Sequence, residues 1–168
     1  MNCSDEKTLD FSESSEKTTH INGKKEYLNS PFVTAGNRVY MVGHQDGSFP
    51  DLGWHIKGEM GGIWNHPIKL MDGFDIEITD GNDVFKLDKA VSFTNYPTAN
   101  KHTFIWEEKN IEIERWQFVP DDKQGIVVQL IIKNTGGEKK VKLKFTGKSD
   151  LRPTWLGERT QMFDGKDF

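Results

Sequence analysis

The sequence predicts an all-β domain, an antiparallel two-sheet sandwich or larger supersandwich, carrying one long Gly/Trp-rich loop and a disordered N-terminal tail. From Glu26 onward, short apolar runs are punctuated by Gly, Pro, Asn and Asp, which is how strands joined by turns read. No segment sustains the apolar period of an amphipathic helix. At 168 residues the chain fits a single domain and can bury roughly 70% of its unfolded surface.

Residues 1–22 are rich in Ser, Thr, Glu, Asp and Lys, with Leu9, Phe11 and Ile21 the only sizeable apolar side chains. So little apolar surface cannot offset the entropy of ordering, and the segment reads as a flexible tether to a sandwich over residues 23–168. The first predicted strand is Arg38–Val42. In Ile68–Ile78, Phe74, Ile76 and Ile78 alternate against Asp75 and Glu77, giving one buried and one wet face. Val84–Leu87, Ala90–Thr94 and Thr103–Trp106 follow as short strands. Ile111–Val119 begins with Ile111 and Ile113 in one parity and moves its bulk to Trp116 and Phe118 in the other. Such a shift implies a bulge, or a strand passing between two environments.

Ile126–Ile132 is nearly continuous in apolar, β-branched residues, as in a central strand covered on both sides. In Lys139–Phe145, Val141, Leu143 and Phe145 alternate with Lys140, Lys142 and Lys144, which predicts one buried and one solvated face. Asn134-Thr135-Gly136-Gly137 between the two supplies residues that accept positive φ, so they read as a long hairpin. Eight or nine strands at this spacing make a sandwich. The last stretch, 150–168, carries Trp155, Leu156, Met162 and Phe163 without strand or tail character, and suggests a chain cut from a longer protein.

The richest functional signal is His44–His66, with five glycines, three aromatics, three histidines and three acidic residues. A structureless loop longer than about fifteen residues within a compact domain is functional or disordered, and Phe49, Trp54 and Trp64 speak against disorder. Tryptophan faces stack on pyranose rings, and Asp51, His55, Glu59 and His66 could bind hydroxyls in a mixed polar and aromatic lining. The competing reading makes the tryptophans a plug at the end of the sandwich or at a domain interface, with Gly58, Gly61 and Gly62 allowing close backbone approach. The two are compatible, since a plugged interface can border a sugar cleft.

Other chemistries find less support. His44, His55 and His66 recur every eleven residues, unlike the tight ligand pairs of zinc sites. Glycoside hydrolysis needs two carboxyls about 5 to 9 Å apart, and choosing Asp51 and Glu59 among 26 acidic residues fixes no such pair. No nucleophile elbow or phosphate-binding glycine loop is present, and Asp121–Gly125 reads as a charged turn rather than a calcium loop. No metal, cofactor or catalytic residue is assigned. A net charge of −4 with scattered positive residues disfavours nucleic acid. No apolar run approaches the length of a membrane span. The single cysteine, Cys3, excludes an internal disulfide framework and a cysteine-based zinc site. Cys3-Ser4-Asp5 ahead of a polar tail resembles the mature start of a bacterial lipoprotein; a lipidated Cys3 would imply the periplasm or cell surface, with membrane contact only through that anchor. A chance cysteine is the other reading.

Val127–Gly136, the Lys/Val strand after it, and Ser149-Asp150-Leu151-Arg152-Pro153 resemble the N-terminal β-sandwich of glycogen-debranching-like and related glucosidases, which pair a sandwich with a catalytic (α/α)6 barrel. Ser30–Tyr40 and the block from Asp51 through Trp64 resemble the same group, the glycine and tryptophan block being the more specific. The resemblance spans roughly residues 24 to 168. It implies a supersandwich, a parent enzyme acting on α-glucosidic or similar linkages, and a helical-barrel partner domain C-terminal to the sandwich. The catalytic carboxylates of such enzymes lie in the barrel, so none is carried over and the chain alone is expected to be inactive. Asp51, Trp54, His55, Glu59, Trp64, His66 and Trp155 are then the residues expected to meet sugar or barrel. A free-standing carbohydrate-binding module for glucans is the alternative.

Overall fold

A computed structural model describes residues 17–53 and 58–153. Its strands in chain order are β1 (Ile21–Asn22), β2 (Pro31–Ala35), β3 (Tyr40–His44), β4 (Gly62–Asn65), β5 (Ile68–Asp80), β6 (Asp83–Lys86), β7 (Ser92–Asn95), β8 (Ala99–Trp106), β9 (Ile111–Phe118), β10 (Val127–Asn134) and β11 (Lys142–Pro153). They form two antiparallel sheets, one ordered β1-β7-β8-β9-β10 and the other β11-β5-β4-β3-β2, with β6 also on β5. Two short 3₁₀ turns are the only helical elements among the described residues. The all-β two-sheet sandwich expected from the sequence is the observed architecture.

The inner faces follow the alternation. Phe104, Ile111 and Ile113 from one sheet meet Phe32, Met41, Ile63, Phe74, Ile76 and Ile78 from the other, and Phe85 stacks on Trp106 at 5.2 Å. Burying each such side chain contributes about 1.5–3 kcal/mol. The parity shift in Ile111–Val119 reflects two environments and not a bulge. β9 stays in register with both neighbours, with Ile111, Ile113, Arg115 and Gln117 inward, while Trp116 is covered on the outer face by Tyr96, Phe118 and Ile131.

Several expectations are corrected. At the boundary given to the tether, Ile21 and Asn22 pair with Asn95 and Thr94 as β1; residues 1–16 lie outside the described residues. β2 and β4 also form where no strand was predicted, both too short to show a sustained period. Ile126–Ile132 is not a central strand, since β10 ends its sheet and is only half-buried. Nor do β10 and β11 form a hairpin: β10 pairs with β9 and β11 with β5, so the Asn134–Gly137 turn carries the chain from one sheet to the other. The predicted buried face of Lys139–Phe145 is open as well, with Leu143 52% and Phe145 55% exposed.

A polar chain crosses the core. Asn100 Nδ2 donates to Thr34 Oγ1, while the Gln117 amide donates to Asn100 Oδ1 at 2.9 Å and to His102 Nδ1 at 3.0 Å. His102 Nδ1 is therefore an acceptor, and the proton sits on Nε2, facing His44 O at 3.3 Å. Burial, then the charge of Arg115, hold this imidazole well below its usual pKa. Arg115 is itself fully buried, lies against Phe74 and Phe104, and donates to Leu87 O at 3.1 Å and Gly47 O at 2.8 Å. Burial lowers its pKa to about 9 against the pull of Asp46 and Asp88, so it stays charged at neutral pH.

Candidate functional site

The segment between β3 and β4 is fixed at its entrance by local hydrogen bonds. Ser48 donates to Asp46 Oδ1 through its backbone and its hydroxyl, at 2.9 and 2.7 Å, a turn in which an aspartate mimics the backbone. Arg115 holds Gly47 from below. Phe49 then dips into the core, 4.8 Å from Phe74, beneath Gly73. At a φ of 138°, any side chain on Gly73 would enter the Phe49 ring. Leu52 O accepts from Met60 N at 2.8 Å, which pinches the neck of the excursion between them.

Beyond the neck the chain becomes β4, so the far end of the long loop is a strand and not an irregular surface. Gly62 has a φ of 90°, and a Cβ there would collide with Met71 O on β5. Trp64 is 3% exposed, stacks on Tyr40 at 6.3 Å and donates from Nε1 to Gly61 O at 2.9 Å. Its ring is thus covered by Tyr40 and tied to the backbone of Gly61. Burial also raises the Tyr40 phenol above its usual pKa.

Beneath Trp64 lies a charged cluster. Lys69 on β5 is 1% exposed; its Nζ donates to Gly58 O at 2.7 Å and meets Asp72 Oδ1 at 2.6 Å and Asp150 Oδ2 at 2.9 Å. The same ammonium lies 5.8 Å from the Trp64 ring centroid, within range of a cation–π attraction. Arg152 on β11 joins from the far side, with Nε 3.1 Å from Asp150 and Nη2 2.7 Å from Gly58 O. Two cations thus share one backbone carbonyl and are balanced by two carboxylates. The arrangement is a clamp on Gly58, built from one buried ammonium and three partly buried, hydrogen-bonded charges.

Of the residues expected to form the site, Asp51 and Glu59 lie at this clamp or beside it. Asp51 Oδ1 and Arg152 Nη2 both come within 4 Å of the point where a Gly58 side chain would begin. His66 is exposed in the β4–β5 turn. Trp54, His55, Trp155 and Cys3 lie outside the described residues. His44 sits at the end of β3, its imidazole pKa lowered by burial and partly restored by Asp46. Among the described residues no three His, Cys, Asp or Glu side chains gather as a metal site.

The sequence reading missed Lys69, Asp72 and Arg115 and took Asp150 and Arg152 only as part of a motif. Arg115 shares its parity with Ile111 and Ile113, a signal that it points inward. Lys69 had none, because β5 is irregular between Lys69 and Gly73, where its pairing with β4 and β11 shifts register.

Around the clamp Asp51 and His66 are exposed, as are the apolar Met60 at 57%, Ile68 at 40% and Leu151 at 73%. A cavity of about 130 Å³ between Val33–Ala35 and Asn95–Ala99 contains none of these residues and is below the usual 300–1,000 Å³ of ligand sites. In comparison with known proteins, the chain matches no family model, no curated protein and no solved structure.

Proposed function

We propose that this chain is a non-catalytic β-sandwich domain of a carbohydrate-active glycoside hydrolase, its Asp51–His66 loop packing against a catalytic (α/α)6 barrel and bordering the barrel's sugar cleft. The observation that carries the reading is the clamp on Gly58. A loop neck held by the buried Lys69 and the half-buried Arg152, with Trp64 buried beside it and Met60, Ile68 and Leu151 exposed around it, offers a partly apolar face of the kind that protein partners cover. The clamp's charges are spent on each other and on a carbonyl, which supports a structural role over a catalytic one.

The reading frame downstream of Phe168 tests this. Several hundred residues of paired amphipathic helices are expected, and a frame that closes there or encodes another fold overturns the reading. Titration of the chain with soluble α-glucans should leave heat and tryptophan fluorescence unchanged; a saturable signal would instead indicate a free-standing carbohydrate-binding module.

A further inference from the structure

The polar chain through the core is built so that it can run in either direction. Asn100 Nδ2 donates to Thr34 Oγ1, and Gln117 Nε2 donates both to Asn100 Oδ1 at 2.9 Å and to His102 Nδ1 at 3.0 Å. Asn100, His102 and Gln117 are fully buried and Thr34 is nearly so. One atom is left over: Gln117 Oε1 is buried and has no hydrogen-bond partner among the described residues. A buried polar atom without a partner calls for an explanation. Here the amide nitrogen serves two acceptors while the oxygen serves no donor, and half a turn of the amide exchanges the two atoms in nearly the same volume.

We propose that Thr34, Asn100, Gln117 and His102 form a two-state relay that reverses direction when His102 takes up a proton from solvent. In the neutral ring the Nε2 hydrogen goes to His44 O at 3.3 Å, so Nδ1 accepts. In the cation Nδ1 carries a hydrogen as well, and the Gln117 hydrogen that faces it has to give way. Turning the Gln117 amide over puts Oε1 there, where its two lone pairs accept from His102 Nδ1 and from Asn100 Nδ2 once that amide has turned too. Asn100 Oδ1 then accepts from the Thr34 hydroxyl. The relay makes the same number of hydrogen bonds in both states; the group left over is Gln117 Oε1 in one and Gln117 Nε2 in the other. The His44 contact survives the reversal, so the entrance of the β3–β4 segment stays held.

The surroundings set when it reverses and where the change is felt. Phe32 of β2, Phe93 of β7 and Phe104 of β8 pack on the imidazole. The charged and titratable groups that bear on it are Arg115, opposite it on β9, His44 at the end of β3, and Asp46 and Asp88, whose charges act on Arg115. Burial and Arg115 place the proton uptake below the ordinary histidine range. At the other end Thr34 lines the cavity of about 130 Å³ beside Asn95–Ala99. In the neutral state its hydroxyl hydrogen is free of the relay. In the cation that hydrogen is committed to Asn100, and Thr34 has only a lone pair to offer. A proton bound in the core thus changes the hydrogen-bonding character of a residue at the cavity, which is a local charge change read out by a bistable element.

The inference is independent of the carbohydrate reading, and its test is NMR on the 168-residue chain. At neutral pH a nitrogen–nitrogen coupling across the hydrogen bond from Gln117 Nε2 to His102 Nδ1 is expected. As the solution is acidified to about pH 4, that coupling should vanish and the side-chain amide signals of Gln117 and Asn100 should shift with the midpoint of the His102 ring, while the β8 and β9 backbone signals keep their folded dispersion. Amide signals that do not follow the His102 midpoint, a coupling that persists through it, or unfolding before His102 titrates overturns the proposal. Gln117→Glu supplies a second arm, because a carboxylate accepts and cannot donate and so favours the reversed state: His102 should titrate about one pH unit or more higher, and an unchanged or lower midpoint overturns the relay. If that variant does not fold, the coupling and the shared midpoints in the unmodified chain decide it.

Discussion

Replacing Lys69 by Met isolates the clamp, because Met keeps most of the aliphatic volume and removes only the ammonium. Taking one partner from a buried ion pair costs about 3–5 kcal/mol, most of it for the charge left behind. Here the residue left behind is better served than usual. Asp150 retains Arg152, Gly58 O retains the Arg152 guanidinium, and the Asp72 side chain is 29% exposed and can turn to water. The expected loss is therefore about 2–3 kcal/mol, or roughly 5–10 °C in Tm for a domain of this size. Equilibrium urea unfolding gives the first number and a thermal scan the second. Limited proteolysis gives a local readout, since release of Gly58 should open the neck at Leu52 and Met60 and raise cleavage there at least tenfold while the β8–β9 hairpin stays resistant. A loss below 1 kcal/mol with unchanged loop cleavage would refute the clamp as the loop's anchor.

Acid should weaken the fold through His102. Its folded pKa is depressed by burial and by Arg115, so its stabilising contribution is complete above the unfolded value near 6.5 and is lost as pH falls toward the folded value. Between pH 6.5 and 5.5 the loss is about 1 kcal/mol. His102→Gln should remove that slope in urea unfolding while leaving the smaller one from His44; an identical pH dependence in the variant would count against this assignment. Gly62→Ala should destabilise by about 2 kcal/mol or more, because it combines a positive φ with a collision on Met71 O. A midpoint shift in urea corresponding to less than 1 kcal/mol would show that β4 and β5 can separate at little cost.

The class of fold was legible because alternation is local: Phe74, Ile76 and Ile78 announce a half-buried strand without reference to anything else. Partner choice was not, because it depends on residues far away in sequence. The apolar run of β10 looked central, yet its chemistry only says that both faces find apolar company. One face does so in the core, through Val128 and Leu130, and the other on the outer surface, through Ile131 beside Trp116. Likewise Asn134–Gly137 signals a reversal but not which sheet receives the chain. The glycine dependence of the loop's far end was legible, and Gly62 shows why. The loop's anchor was hidden, because Lys69 is an ordinary surface residue until Asp72, Asp150 and a carbonyl from a separate loop surround it.

The sheet change after β10 also sets an order of events. The β7–β10 meander joins neighbours in sequence and can assemble as it emerges, whereas every β5–β11 pair links positions more than sixty residues apart. Thus one flank of β5 stays bare until residue 142 and those after it arrive, a delay that slows folding and leaves a sticky ladder available to other chains. Asp75, Glu77 and Asp80 line that waiting strand, and their mutual repulsion between nascent chains is the safeguard the protein carries during the interval.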